Sequence, residues 1–172
     1  MRSVLVIVLL AGYAFAQDQS VPAAAAACGP KGSKLDVKRD ESRHTLAPPE
    51  PGQARVYFLQ DIGIVNCIGS CITTKIGLDG AWVGADQHNS YFSMSVEPGE
   101  HHVCANRESH FARVNQMVAL AHFTAEAGKV YYFRTRTFGD RDQQILDLDP
   151  IDSDQAKYLI ASYPLSVSHP KP

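Results

Sequence analysis

The sequence predicts a mainly β protein: a single antiparallel β-sandwich with a short C-terminal helix, preceded by a signal peptide and a disordered linker. Three observations carry this. Short runs rich in aromatic and β-branched residues recur from Ala54 onward. Turn signals separate them, among them Asp79-Gly80, Pro98-Gly99 and Ala127-Gly128. Only the segment after Asp152 has a helical pattern. Strands divided by turns, with helix confined to one end, describe two packed antiparallel layers. The folded part spans residues 53–167, with 168–172 as a tail, and no internal repeat of fixed period is evident.

The chain opens MRSVLVIVLLAGYAFAQDQ. Arg2 supplies a positive start, Val4 to Leu10 an unbroken apolar run, and Ala14-Phe15-Ala16 a small-residue processing site. The apolar run falls short of the ~20 residues a membrane span needs. Residues 1–16 therefore read as a cleaved signal peptide, against the alternatives of a buried N-terminal strand or an uncleaved anchor. Export to the periplasm or the extracellular space follows. Residues 17–52 have the composition of a linker: an alanine run (Ala23 to Ala27), the charged stretch KGSKLDVKRDESRH, then Pro48, Pro49 and Pro51. Asp36 to Arg43 has no apolar stripe to bury. Cys28 follows three alanines, which raises a lipoprotein cleavage box. Gln17 to Ser20 separate it from the apolar run, so lipid anchorage through Cys28 is the lesser alternative.

The strands follow in order. In ARVYFLQ, Val56 and Phe58 alternate with Arg55 and Tyr57. TTKIGLDGAWVGA reads as a hairpin about Asp79-Gly80. NSYFSMSV places Phe92, Met94 and Val96 on one face, toward the core. Glu97-Pro98-Gly99-Glu100 is a turn and HHVCA the returning strand, which predicts a hairpin from Val96 to Ala105. QMVALAHFTAEAGKVYYFRTRTF reads as two longer strands reversing at Gly128. VALAHF is also compatible with helix, but the β-rich run after it favours a strand. Asp152 with Gln155 resembles a capping box that opens a helix with Tyr158, Leu159 and Ala161 on its apolar face, stopping before Pro164.

Composition excludes several partners. The formal net charge is −2 and 20% of residues are charged, so no basic surplus points to nucleic acid. After signal cleavage no second long apolar segment suggests a transmembrane helix. Four cysteines, Cys28, Cys67, Cys71 and Cys104, in an exported chain indicate disulfides rather than a zinc knuckle. Four allow three pairings. The Ile-Gly-Ser spacer suits a local Cys67–Cys71 bridge, which leaves Cys28 and Cys104, but sequence does not choose between connectivities.

Candidate chemistry is sparse. VEPGEHHVCANRESH gathers three of the seven histidines and one cysteine about a turn. On a strand His101 and His102 point to opposite faces, so a metal site would have to recruit His110, His122 or His88 from elsewhere. His102 and Cys104 share a face but lie side by side about 7 Å apart, too far for a catalytic pair. Nucleophile-elbow, zinc-protease, P-loop and dinucleotide fingerprints are missing from the sequence. Asp147, Asp149, Asp152 and Asp154 lack the glycine and closing glutamate of a calcium loop. No catalytic residue and no cofactor is assigned, and the chain is read as a non-enzyme. Two surfaces are candidates for binding. Trp82 either packs as a core residue or forms a platform for a sugar or peptide. Tyr132, Arg134 and Arg136 share a strand face too polar for a core, suited to an anionic glycan or an acidic partner loop.

Taken together, GLDGAWVGA, SYFSMSVEPGEHHVCA, AHFTAEAGKVYYFRTR and LDLDPIDSDQAKYLIAS resemble a bacterial domain of unknown function, family 2846, over residues 53–162. The fragment LDGAWVG with VEPGEHHV is also similar to the PEGA-type surface β-domain. The resemblance implies a small exported β-sandwich and assigns no activity or site residues. The functional expectation is an exported non-enzymatic module for binding or cell-envelope association, its partner an envelope protein or glycan. The alternative is a metal-binding protein using His101, His102, His110 and His122.

Overall fold

The computed structural model describes residues 26–62, 73–108, 117–139 and 144–171. Along them run β1 (Leu35–Asp40), β2 (Ala54–Gln60), β3 (Thr73–Leu78), β4 (Ala81–Gln87), β5 (Ser90–Val96), β6 (Gly99–Glu108), β7 (Met117–Ala125), β8 (Val130–Gly139), β9 (Gln144–Pro150), helix α1 (Ser153–Ser162) and β10 (Leu165–Pro170). They make two packed sheets, one of order β1-β10-β5-β2-β8-β9 and one of order β4-β3-β6-β7. The sandwich closed by a C-terminal helix is the predicted one. Most neighbours are antiparallel, while β10 runs parallel to β5 and β2 parallel to β8.

Strand alternation decides what fills the space between the sheets. Val56 and Phe58 of β2, Phe92 and Val96 of β5, and Ile76 and Val103 of the facing sheet meet there. The Phe58 ring lies 5.3 Å from Phe92 and 6.0 Å from Phe133 between centroids. The other face of β2 is equally dry, because Tyr57 and Leu59 pack with Tyr91 against Leu159 and Ile160 of α1. At roughly 1.5–3 kcal/mol for each fully buried large apolar side chain, β2 contributes more than an ordinary half-buried strand.

The helix starts as its sequence dictates. The Asp152 carboxylate accepts from the backbone N–H of Asp154 and of Gln155, each at 2.9 Å. The buried stripe is Ala156, Leu159 and Ile160, at the i, i+3, i+4 spacing of one helix face, whereas Tyr158 is 74% exposed. The predicted apolar face was thus displaced by about one residue, because Ala156 near the cap sets which side meets β2.

One predicted hairpin is absent, and a second connection takes the same form. β5 and β6 do not pair with each other: Val96 ends a strand of the larger sheet and Gly99 begins one of the smaller. The stretch from Val96 to Ala105 is an arch across the sandwich, not a hairpin. β7 and β8 are likewise joined across the layers at Gly128. The physical reason is packing: each strand of these two pairs is apolar on the face that looks across the core, so facing one another buries both.

The segment read as a linker also differs in part. Leu35–Asp40 pairs along its full length with Leu165–Pro170, so the would-be tail completes the same sheet edge. Beyond it, Tyr57 Oη accepts from the Ala47 N–H at 2.6 Å and Tyr91 Oη from the Thr45 N–H at 2.8 Å. Composition missed this because β1 alternates charged and aliphatic residues at an exposed edge, where backbone pairing rather than apolar burial decides. The proposed signal peptide lies outside the described residues.

Candidate functional site

Three surfaces gather the residues singled out from sequence. On the outer face of the four-stranded sheet, Cys28 is disulfide-bonded to Cys104 of β6. Residues 27–33 lie across that face as a strap. The Gly80 N–H donates to the Ala27 carbonyl at 3.1 Å, Trp82 Nε1 to the Pro30 carbonyl at 2.9 Å, and Lys75 Nζ to the Ser33 carbonyl at 2.9 Å. Lys75 Nζ sits 4.5 Å from the Trp82 ring centroid, within cation–π range. Two glycines make the approach possible. A Cβ on Gly29 would fall 2.5 Å from the Trp82 ring, and one on Gly77 would fall 2.7 Å from the Ala27 carbonyl oxygen. Trp82 is therefore neither a residue of the inter-sheet core nor an open platform; the chain's own N-terminal segment covers it. Cys67 and Cys71 lie outside the described residues.

At the arch, His101 and His102 do point apart. His101 turns inward, its ring 5.4 Å from Phe123. Its Nδ1 lies 2.7 Å from Asp79 Oδ2 and its Nε2 2.7 Å from the Glu97 carbonyl oxygen. Both ring nitrogens face acceptors, an arrangement that the doubly protonated ring satisfies in full. Burial opposes that charge, but the Glu97 carbonyl and the Asp79 carboxylate outweigh it and raise the His101 pKa above the ordinary histidine value. Asp79 Oδ1 also accepts from the His102 N–H at 2.8 Å, so one carboxylate ties the β3–β4 turn to the start of β6. His102 faces out, 6.3 Å between rings from its cross-strand partner His122. Among the described residues no three His, Cys, Asp or Glu side chains converge on a metal-binding point, which disfavours the metal reading. His110 lies outside the described residues.

On the outer face of β8 lie Tyr132, Arg134 and Arg136, and each is already occupied. Tyr132 stacks on Tyr57 at 5.4 Å beside the helix. Arg134 Nη1 is 3.6 Å from Asp61 Oδ2, and Asp61 Oδ1 accepts from Tyr163 Oη at 2.9 Å. Burial and that carboxylate push the Tyr163 phenol well up. Arg136 pairs with Asp149 at 3.2 Å and Asp147 at 4.0 Å. A hydrogen bond to Asp149, with burial, raises the Asp147 carboxyl above its ordinary value, and both carboxylates lie against the one arginine. Three carboxylates against two guanidinium groups make this face a poor anion trap. Asp152 and Asp154 belong to the helix start.

Sequence reasoning missed one polar interior position. Asp86 of β4 is fully buried, and burial pushes its carboxyl well above the usual range. It stands opposite Thr74, while Gln60 stands opposite Ser90, so the sandwich is polar inside at the end where β2 and β4 stop. Carrying the strand alternation past Phe92 to Ser90, and past Phe58 to Gln60, would have placed polar residues inside.

These features define a class: a two-sheet β domain whose preceding segment is covalently strapped to its own outer face. The chain belongs to the family described as "Protein of unknown function (DUF2846)", whose model matches residues 50–144, more than half of its length. No curated protein and no solved structure matches it.

Proposed function

We propose that this is an exported, non-enzymatic β-sandwich module that binds a partner, an envelope protein or glycan, at the cell envelope. The Cys28–Cys104 disulfide carries the reading, because such a bond between a leader-proximal cysteine and a central strand persists in oxidising compartments. It also consumes the Cys28 sulfur, which favours a free periplasmic or extracellular form over a lipid anchor there. His101, Arg134 and Arg136 are each committed to an acceptor that positions structure. Cell fractionation with intact-mass measurement tests it. The expected product is an envelope-fraction or secreted chain that begins at Gln17 and carries the oxidised pair. A reduced chain retained in the cytoplasm with residues 1–16 intact would overturn it.

A further inference from the structure

The edge of β8 is open where β9 stops. β9 ends at Pro150 opposite Phe133, while β8 begins three residues earlier at Val130. The Ile151 N–H still reaches the Tyr132 carbonyl at 3.0 Å before the chain turns away into the helix cap. On the other side of β8, Arg55 stands opposite Val130 and its N–H donates to the Lys129 carbonyl at 3.0 Å. In a parallel pair, alternate residues bond to a given neighbour, so Lys129, Tyr131 and Phe133 address β2. The backbone of Val130 and Tyr132 therefore addresses the opposite side. Val130 and Tyr132 line a cavity of about 340 Å³ on that side.

The cavity wall is aromatic and already assembled. Phe123 of β7 packs 5.0 Å from Tyr131 and 5.2 Å from Phe133 between ring centroids. Pro150, Ile151 and His122 also line the cavity. A strand edge wants a ligand with alternating main-chain donors and acceptors, and an apolar hollow beside it wants a side chain. An acyl chain would leave the edge unpaired. A sugar stacked on the rings would not offer the edge a regular run of main-chain donors and acceptors. The volume is at the small end of ligand pockets, about 300–1,000 Å³, so the ligand is short or enters only in part.

We propose that this groove binds an extended peptide segment, its main chain pairing with Val130 and Tyr132 along the line that β9 vacates and one apolar side chain entering beside Phe123 and Ile151. The proposal deepens the binding-module reading and rests on it.

The test uses the oxidised chain, isotope-labelled, titrated to millimolar acetyl-Ala-Leu-Ala-amide and followed residue by residue by NMR. The Val130 and Tyr132 amide signals are expected to shift and their hydrogen exchange to slow. The same peptide N-methylated at its pairing amides should bind about tenfold or more weaker, having lost main-chain donors. Octanol should not reproduce the response at those amides. No response at millimolar peptide, or an equal response to the N-methylated peptide or to octanol, overturns the proposal. A Val130→Pro variant removes one free donor while leaving the bonds toward β2, which do not use that N–H. It should keep the remaining spectrum and lose affinity, and unchanged affinity in the folded variant would likewise overturn the proposal. Failure of these arms removes the groove alone, since export and envelope association are measured separately by fractionation.

Discussion

Asp79-Gly80 and Pro98-Gly99 are both tight turn signals between short strands, yet they do different things. At the first, Asp79 has φ 50° and Gly80 φ 89°, both positive, the geometry whose twist matches a two-stranded ribbon. β3 and β4 accordingly pair in one sheet. At the second, the preset φ of Pro98 is followed by Gly99 at φ 145°, and the chain leaves one sheet for the other. Turn chemistry reports that the chain reverses. Whether the returning strand lies beside its predecessor or across from it depends on how the turn's twist matches the strands and on which faces need covering.

Five variants sharpen this contrast, in order of falling effect. The hairpin is additionally held by the strap, since the Gly80 N–H binds the Ala27 carbonyl next to Cys28. Replacing both Cys28 and Cys104 with serine should cost on the order of 4 kcal/mol by loop entropy, read as a drop in denaturation midpoint. Deuterium uptake should rise at the β3–β4 turn while the arch is little changed; an equal rise at both would remove the distinction.

The two turn glycines come next. A Cβ at Gly80 meets the Ala26 carbonyl oxygen at 3.2 Å, whereas nothing lies within 4 Å of one at Gly99. Gly80→Val should therefore cost about 2–3 kcal/mol and Gly99→Val about 1–2 kcal/mol, the latter from backbone strain alone. Urea midpoints for the pair decide it, and a larger loss at Gly99 would contradict the account.

His101 joins the two turns through Asp79 and the Glu97 carbonyl, so His101→Ala should cost about 1–2 kcal/mol. Its folded pKa is raised, so its contribution is complete below the unfolded histidine value of about 6.5 and is lost as pH rises through the folded one. The gap between wild type and His101→Ala should narrow on going from mildly acidic to alkaline pH; a gap that widens would sink the charged-clamp assignment.

Pro98→Ala should have the smallest effect, about 0.5 kcal/mol, through added freedom of the unfolded chain. A chemical-denaturation series precise to a few tenths of a kcal/mol detects it.

Much of the fold was legible because strand alternation and caps are local. Phe92 and Val96 are in the core, Met94 packs against it, and Asp152 caps the helix. What was not legible depends on distant partners. β1 is a strand because β10 lies alongside, and its two aliphatic residues, Leu35 and Val37, are only partly buried. The arch needed knowledge of which sheet β6 joins. At the candidate sites, the opposed directions of His101 and His102 followed from strand period alone. The covering of Trp82 by Pro30 did not, because 52 residues separate them and two close glycine approaches make the contact.

The strap also determines how the domain bears load. A pull on residues ahead of Cys28 passes through the disulfide directly into β6, which is flanked on both sides by β3 and β7. The chain between Cys28 and Cys104, whose sequence separation is 76, carries none of that tension, so roughly 250 Å of contour is withheld from extension. An N-terminal tether therefore cannot peel β1 from its sheet edge; it pulls on an inner strand, where neighbouring strands on both sides would have to shear together.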